Sequence, residues 1–290
     1  MAAAIDTILQ GVLLGGLYAL FATGLSLSFG IMRMVNVAHG DLIILASYLA
    51  WVTVATLGMN AFAAALVVVP AMTVVGYGLQ RYVLNPVLSD DPLPPLLVTF
   101  GLSVIIQNLL LEGFSADARG IDAGVIETAS LALGGDLAVG WLPLLVFASA
   151  VAVIAGLELL LSRTPLGRAF RATSDDQTVA QLMGIDNRHL YAVAMALACA
   201  VTGIAGIYLA IRTTFGPMMG PSQLLFAFEA VIIGGMGSLW GTLAGGVLLG
   251  VSQSIGFRLD PGWGILTGHL AFLAVLVMRP QGLFARTRDA

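Results

Sequence analysis

Long apolar stretches separated by short polar segments make up almost the whole chain. Six of these stretches approach or exceed the roughly 20 mostly apolar residues that a membrane-spanning helix needs. A seventh, Gly264–Met278, is shorter. The pattern therefore predicts an all-α, polytopic bundle of transmembrane helices. The six long stretches cover residues 5–29, 42–57, 61–84, 96–114, 141–161 and 190–211.

Residues 222–257 form one further apolar stretch, and glycines interrupt it. The sequence Gly234-Gly235-Met236-Gly237-Ser238 lies near its middle. This stretch predicts either two short spans or one span followed by a re-entrant half-helix. A half-helix is tolerated at membrane depth only where protein or a water-filled path covers it. We therefore expect Gly-broken helices and a total of eight or nine spans.

The distribution of arginine predicts the orientation, because cytoplasmic loops carry an excess of positive charge. The connection 115–140 is acidic and contains a single Arg, whereas the loop 163–189 and the C-terminal tail are rich in Arg. We expect the loop and the C-terminus in the cytoplasm and the N-terminus outside. Ends on opposite sides require an odd number of crossings, which favours nine. The arginines concerned are Arg163, Arg168, Arg171, Arg188, Arg279, Arg286 and Arg288.

Composition supports the membrane assignment and argues against other classes. Charged residues make up 10 % of the chain, against about 25 % in a soluble domain. The net charge of −4 gives no basis for nucleic-acid binding. All twelve basic residues are Arg, so the Lys of a phosphate-binding loop is missing and ATP hydrolysis is not expected here. The single Cys199 lies in an apolar run and is expected to be a small core residue.

The charged loop 163–189 contains the pattern of a short amphipathic helix that begins near Ser174. Ser174 or Asp175 is suited to cap its N-terminus. Val179, Leu182 and Met183 fall on one face by their spacing of three and four residues. Gly184 is suited to end the helix in a left-handed conformation. The apolar face requires a cover, either this chain's own membrane helices or a partner protein in the cytoplasm.

Four segments resemble the permeases of ABC importers of the branched-chain (hydrophobic) amino-acid family. The first is Gly16-Leu-Tyr-Ala-Leu, which continues to Phe29-Gly-Ile-Met-Arg-Met-Val-Asn-Val-Ala-His-Gly-Asp41. The second is Pro165-Leu-Gly-Arg-Ala-Phe-Arg-Ala, followed by residues 176–180 and 182–185. The third is Ala230-Val-Ile-Ile-Gly-Gly-Met-Gly-Ser-Leu-Trp-Gly with residues 245–250, and the fourth is Met278-Arg-Pro-Gln-Gly-Leu-Phe284. Of the Glu-Ala-Ala-x-x-x-Gly motif of general ABC permeases, only Ala180 and Gly184 are present.

The resemblance implies a permease domain over residues 1–290, in a bacterial inner membrane, that imports branched-chain or other hydrophobic amino acids. It implies four kinds of partner: two ATPase subunits, a second homologous permease or a second copy, a periplasmic binding protein, and membrane lipid. No cofactor is implied, and the chain is not expected to be an enzyme. Urea or short amides remain open as an alternative cargo. The residues implied to contact the ATPase are Arg168, Arg171, Asp176, Ala180, Leu182, Met183 and Gly184.

Polar residues inside the apolar stretches are candidates for a translocation pathway, because such groups are costly in a membrane. Asn36, His39 and Asp41 lie together, and Tyr18 and Ser26 lie in a stretch that mixes aromatic and hydroxyl side chains. His39 and Asp41 are too few ligands for a metal site. A structural hydrogen-bonded knot and a proton relay both remain open for this group. The relay would suit a stand-alone secondary transporter or channel.

Glu229 precedes the glycine break and is the remaining charged candidate. It could form an ion pair with Arg212, or it could contact the ammonium group of a substrate. Gly234, Gly235 and Gly237 are added to the pathway candidates because broken helices often form substrate sites in transporters. Further polar residues in the apolar stretches are Gln107, Asn108, Glu112, Glu158, Gln253 and His269.

Overall fold

The structure, a computed structural model, describes residues 2–88, 91–134 and 137–284. Within these ranges the chain is a bundle of helices with one antiparallel hairpin, formed by β1 (Ser130–Gly134) and β2 (Leu137–Gly140). Arg286 and Arg288, two of the arginines that predict the orientation, lie outside the described residues.

Twelve α-helices are present in the described ranges. A π-helical turn, Leu79–Leu84, extends the third, and a short 3-10 helix, Pro217–Met219, precedes the tenth. The helices are α1 (Ala2–Met32), α2 (His39–Leu57), α3 (Ala65–Gly78), α4 (Leu93–Phe114), α5 (Val125–Thr128), α6 (Trp141–Arg163), α7 (Pro165–Asp175), α8 (Gln177–Leu182), α9 (Asn187–Arg212), α10 (Gly220–Gly234), α11 (Leu239–Leu259) and α12 (Gly264–Met278).

The predicted polytopic helical bundle is confirmed. In the described part of the chain, seven helical segments are long and apolar enough to cross a membrane. Two further helices, α11 with 21 residues and α12 with 15, pack beside them. The long segments are α1, α2, α3 with its π-helical extension, α4, α6, α9, and α10 together with the 3-10 helix.

The glycine-interrupted stretch 222–257 forms two helices, α10 and α11. The break falls at Gly235 and Gly237, whose φ angles of 100° and 81° are unfavourable for residues with a side chain. After the break, α11 packs closely against α10, and a Cβ atom on Gly245 would overlap Ala230 O. The glycines therefore serve both to turn the chain and to let the two helices approach.

Glycine also explains why α1 and α11 lie together at the centre of the bundle. A Cβ atom on Gly11 would lie 2.6 Å from Val251 Cα, and one on Gly246 would lie 2.6 Å from Gly15 O. In a membrane, helix association depends on close van der Waals packing, since lipid tails are as apolar as the side chains. The spacing of four residues places these glycines on one face of each helix.

The charged loop contains two helices, so the predicted single helix from Ser174 is wrong in its boundaries. Ser174 and Asp175 end α7 instead of starting the next helix. Asp176 adopts an extended conformation, and its Oδ1 accepts hydrogen bonds from Thr178 N at 2.8 Å and Val179 N at 3.0 Å. Asp176 is thus the N-cap of α8. Gly184 follows α8 at a φ of 85°, in the left-handed conformation that the sequence predicts.

Candidate functional site

Helix α2 begins inside the bundle and not at its end. His39, its first residue, places Nε2 2.7 Å from Phe21 O, in the interior of α1. Asp41 meets Ser103, near the middle of α4. Since α1 ends at Met32, residues 33–38 carry the chain back into the bundle before α2 starts. The predicted group of Asn36, His39 and Asp41 is therefore buried among helices.

Asp41 joins three helices at this point. Its Oδ2 accepts a hydrogen bond from Ser103 Oγ at 2.5 Å, and its Oδ1 accepts one from Gln107 Nε2 at 3.0 Å. Only 1 % of the residue is exposed. A Cβ atom on Gly220, the first residue of α10, would overlap Asp41 Oδ1. The carboxylate thus links α2 to α4, and the missing side chain of Gly220 lets the start of α10 approach it.

Asn36 and His39 hold the chain that leads into α2. Asn36 Oδ1 accepts a hydrogen bond from Ala38 N at 3.0 Å, and Asn36 O accepts one from His39 N at 3.1 Å. The hydrogen bonds of His39 and Asp41 lead to different helices. The described residues contain no group of three or more His, Cys, Asp or Glu suited to a metal. The geometry favours a structural network of hydrogen bonds over a direct proton relay from His39 to Asp41.

A second polar cluster lies about one turn closer to the N-terminus of α1, at Tyr18, whose ring is 6.3 Å from that of Phe21. Tyr18 donates a hydrogen bond from its hydroxyl to Gln253 Oε1 at 2.6 Å. His269 Nδ1 lies 2.5 Å from Glu229 Oε1. The ring of Phe226 packs 5.1 Å from that of Tyr18 and 6.3 Å from that of His269. These contacts gather residues of α1, α10, α11 and α12.

The ion pair between Glu229 and Arg212, one of the two alternatives for Glu229, is not present. The partner of Glu229 is His269, which one side of α12 presents to α10. Glu229 Oε2 is buried without a hydrogen-bond partner, and Arg212 Nη1 is also buried without one. The sequence spacing could not reveal this pairing, because residues 40 positions apart are brought together only by the packing of α12 on α10.

A cavity of about 500 Å³ lies at the end of the bundle that carries α7 and α8. Two predicted pathway residues, Ser26 and Gly237, line it, as do Gly30 of α1 and Phe170 and Arg171 of α7. Ser174 Oγ donates a hydrogen bond to Gly30 O at 2.9 Å, which fixes α7 to the end of α1. Ser26 and Gly237 therefore lie apart from the two polar clusters.

Gly234 and Gly235 belong to the turn between α10 and α11. A Cβ atom on Gly234 would overlap Gly241 O, and one on Gly282 would lie 2.6 Å from Gly235 Cα. Leu283 N and Phe284 N donate hydrogen bonds to Ile233 O at 2.8 Å and Gly234 O at 3.0 Å. These two predicted pathway residues thus pack against protein backbone and fix the C-terminal segment.

The loop helices expose apolar side chains. Leu182 is 82 % exposed, Met183 79 % and Val179 54 %, whereas Ala180 is buried at 3 %. Arg168 and Arg171 on α7 are exposed as well, and Arg171 Nη1 donates a hydrogen bond to Leu161 O. The bundle therefore does not cover the apolar face of α8. Of the two alternatives for a cover, this excludes the chain's own membrane helices.

Ser103 was missed in the sequence, although a signal for it was present. Ser103 and Gln107 are four residues apart, so they lie on one face of α4 and both reach Asp41. Thr99 continues the same face, and its Oγ1 accepts a hydrogen bond from Val37 N at 3.2 Å. A stripe of small polar residues on an apolar helix predicts a polar contact in the bundle, but not its partner.

A multi-pass helical bundle with polar clusters in its interior and an exposed apolar loop helix has the features of a membrane permease. Residues 7–275 match the family described as branched-chain amino acid transport system / permease component. The chain belongs to this family of ABC transporter permeases, which are transport components and not enzymes.

Two relatives cover nearly the whole chain. The high-affinity branched-chain amino acid transport system permease protein BraD of Pseudomonas aeruginosa is 29 % identical, over 97 % of this chain and 96 % of its own length. The permease protein LivH of the same kind of system in Escherichia coli is 28 % identical, over 96 % of this chain and 94 % of its own length.

One solved structure has a similar fold. PsaBC from Streptococcus pneumoniae in complex with Fab superposes with a TM-score of 0.50, covering 97 % of this chain and 96 % of that one. The sequence identity is 14 %, so this similarity concerns the fold alone.

Proposed function

We propose that this protein is a permease subunit of an ATP-driven importer in a bacterial inner membrane. Its cargo is branched-chain or other hydrophobic amino acids, delivered by a periplasmic binding protein. The observation that carries this proposal is the match to the permease family over residues 7–275, together with the similarity to BraD and LivH over nearly the whole chain. Residues 1–290 act as one permease domain, with the C-terminus in the cytoplasm.

The exposed face of α8 supports a docking role for the loop. Leu182, Met183 and Val179 together expose large apolar surfaces at one end of the bundle, and such surfaces commonly mark sites of protein interaction. Asp176 and Gly184 hold the helix that presents them. In this proposal the cover is an ATPase subunit, and Arg168 and Arg171 of α7 lie beside the contact.

Attachment of α7 to α1 offers a route for coupling. Ser174 Oγ bonds Gly30 O, and Arg33 Nη2 reaches Ser174 O at 3.4 Å. A push on α8 would be passed through α7 to the end of α1, which packs against α9, α10 and α11. Two ATPase subunits hydrolyse ATP, this chain binds no cofactor, and a second homologous permease or a second copy completes the membrane part.

The polar clusters suit a translocation pathway. Helices α2 and α10 both begin inside the bundle, and their first turns meet where Gly40 packs against Gly220. Helices broken near the middle of the membrane are a recurrent source of substrate sites in transporters. We place the pathway along Tyr18, Asn36, His39, Asp41 and Glu229, ending at the cavity beside Ser26 and Gly237.

Uptake by cells that lack the gene tests this function. Loss of the gene is expected to abolish energy-dependent uptake of radiolabelled leucine, isoleucine and valine, and re-expression is expected to restore it. If these cells took up amino acids normally but lost uptake of urea or short amides, the cargo would be urea or short amides instead. Uptake restored by this chain in cells that lack every candidate ATPase subunit would contradict the ABC mechanism and favour a stand-alone transporter.

A further inference from the structure

We propose that the cavity between α1, α6 and α7 binds a zwitterionic hydrophobic amino acid, with Glu158 and Arg171 as its charged contacts. Glu158 binds the α-ammonium group and Arg171 binds the α-carboxylate. The inference rests on the proposed function, because it names the side chains that hold the amino acid at the end of the pathway, before its release.

The first argument is the cavity itself, whose walls are fixed to one another. Its volume of about 500 Å³ falls within the range of small-molecule sites, roughly 300–1,000 Å³. Ser174 Oγ joins α7 to Gly30 O of α1 at 2.9 Å, and Arg171 Nη1 donates a hydrogen bond to Leu161 O of α6. A Cβ atom on Gly167 would overlap Leu161 O, so α7 also meets α6 backbone to backbone. The cavity is therefore pre-formed, as small-molecule sites usually are.

The second argument is that this one cavity carries both signs of charge. Glu158 of α6 and Arg171 and Asp175 of α7 line it together. Arg33 brings a second positive charge beside it, because Arg33 Nη2 lies 3.4 Å from the carbonyl oxygen of Ser174, another lining residue. Two carboxylates and two guanidinium groups balance in number. The site thus favours a ligand that carries both charges over a simple anion or a simple cation.

The third argument is that Glu158 is an uncompensated charge. Its side chain forms no ion pair or hydrogen bond with the part of the chain that the structure describes. Arg163 is the last residue of α6, so Glu158 lies about 7.5 Å before the helix end, at a rise of about 1.5 Å per residue. A carboxylate at this depth on a largely exposed membrane helix is costly without a cation. The α-ammonium group of a bound amino acid supplies that cation.

The fourth argument is a buried hydroxyl group on the wall of the cavity. Ser26 lines the cavity and is 0 % exposed, yet its Oγ has no hydrogen-bond partner among the described residues. A buried polar atom without a partner costs free energy, and most such atoms in proteins are paired. A polar ligand in the cavity provides an acceptor on the side that Ser26 forms.

The remaining lining is largely apolar and suits the side chain of a hydrophobic amino acid. Ligand sites typically combine such walls with a few polar groups that fix the orientation of the ligand. Urea has neither the two charges nor the apolar part that this lining matches. The apolar residues of the lining are Leu27, Ile31, Leu161, Phe170 and Leu239.

Protection of a cysteine placed in the cavity tests the proposal. Ser162 is exposed and lines the cavity, whereas the chain's single cysteine, Cys199, is buried. Ser162→Cys therefore puts one reactive thiol of this chain at the site. Ala172→Cys is the control, because Ala172 is exposed on α7 and does not line the cavity.

The assembled transporter, with its ATPase and partner permease, is placed in lipid nanodiscs without the binding protein. Mass spectrometry of this chain follows the rate of alkylation by a small water-soluble thiol reagent. The ligands are L-leucine, L-leucinamide, which lacks the carboxylate, and 4-methylpentanoate, which lacks the ammonium group. Each is added at rising concentrations, and the concentration that gives half of the full protection is measured.

The expected result is a crossed pattern in the Ser162→Cys background. E158Q raises the half-protecting concentration of leucine about tenfold and leaves that of 4-methylpentanoate unchanged, because that ligand has no ammonium group. R171Q raises the leucine value about tenfold as well and leaves that of leucinamide unchanged. E112Q and R188Q, which remove exposed charges elsewhere, change none of the three values. Comparing ligands within one variant separates the loss of a charged contact from a general distortion of the cavity.

A conservative variant keeps the test decisive if R171Q distorts α7. R171K retains the positive charge and is expected to retain the preference for leucine over leucinamide. Loss of that preference in R171K would overturn the proposal, as would equal weakening of all three ligands by E158Q. Equal protection of Ala172→Cys by leucine would also overturn it.

Two further outcomes separate this site from other occupants and from the proposed function. If phosphatidylethanolamine in the nanodisc protects Ser162→Cys and leucine adds nothing, the cavity is a lipid site and the proposal is wrong. A transporter that imports leucine with its binding protein but shows no protection by leucine would refute the site and leave the proposed function standing. A transporter that imports no amino acid would refute both.

Discussion

Replacement of Asp41 by Ala tests whether its carboxylate joins α2 to α4. The substitution leaves Ser103 Oγ and Gln107 Nε2 without their acceptor, in a site where Asp41 is 1 % exposed. Interhelical hydrogen bonds in membranes average about 0.6 and reach about 1.7 kcal/mol. A carboxylate acceptor favours the upper end of this range. The two bonds together therefore contribute roughly 3 kcal/mol.

Asp41→Asn provides the graded comparison. The amide keeps one oxygen for Gln107, and Ser103 Oγ can accept from the new amide group, so the loss should be about 1 kcal/mol. Thermal unfolding in detergent, followed by the fraction of protein that stays monodisperse, measures the effect. We expect Asp41→Ala to lower the midpoint by several degrees, Asp41→Asn to lower it less, and the exposed control Glu112→Ala to have no effect.

Two outcomes would refute this reasoning about Asp41. An unchanged midpoint in Asp41→Ala would show that the three side chains do not hold α2 against α4. An equal loss in Asp41→Asn and Asp41→Ala would show that the negative charge itself, and not the hydrogen bonds that Asn can still form, determines stability at this position.

Three further substitutions test packing and coupling. In the same unfolding assay, Gly250→Val on α11 should destabilise the bundle by about 1–3 kcal/mol, because its side chain would overlap Gly11 O. Gly156→Val should be neutral, since a Cβ atom on Gly156 would have nothing within 4 Å. Leu182→Asp should reduce co-purification of the ATPase about tenfold and leave the unfolding midpoint unchanged. The control is Val125→Asp, because Val125 is equally exposed on another segment. Normal co-purification of Leu182→Asp would contradict docking at α8. Gly184 has a φ of 85°, so Gly184→Val should introduce about 1–3 kcal/mol of local backbone strain and lower ATP-dependent uptake. Uptake at the wild-type rate would contradict a role for this turn.

Much of the fold follows from the hydrophobic pattern. The predicted spans 141–161 and 190–211 differ from α6 and α9 by only a few residues, because an apolar run of this length is stable in a membrane only as a helix. The last helix, Gly264–Met278, has the predicted bounds. Gly184 was predicted as a helix end because few other residues adopt its backbone conformation.

Depth and pairing within the bundle could not be predicted. The apolar stretch 42–57 does not indicate whether α2 starts at the membrane surface or beside Phe21 in the interior of α1. For Glu229 the sequence left an ion pair with Arg212 as one alternative, whereas the packing of α12 against α10 selects His269. Such contacts depend on the arrangement of several helices, and a single sequence carries no direct record of it.

The split of the loop into α7 and α8 shows a local limit of the same kind. Ser174, Asp175 and Asp176 are all good N-cap residues, so the sequence leaves three positions for the helix start. The hydrogen bond from Ser174 Oγ to Gly30 O draws Ser174 into α7 and leaves Asp176 to cap α8. A tertiary contact therefore decides between cap positions of similar local preference.

Transport by proteoliposomes is the sharpest test of the importer assignment. Vesicles contain this chain with its partner permease and ATPase subunits, and the binding protein loaded with radiolabelled leucine is added outside. We expect leucine to accumulate only when ATP is enclosed, and accumulation to stop in Leu182→Asp vesicles. Accumulation at the same rate without ATP, or without the ATPase subunits, would contradict the assignment.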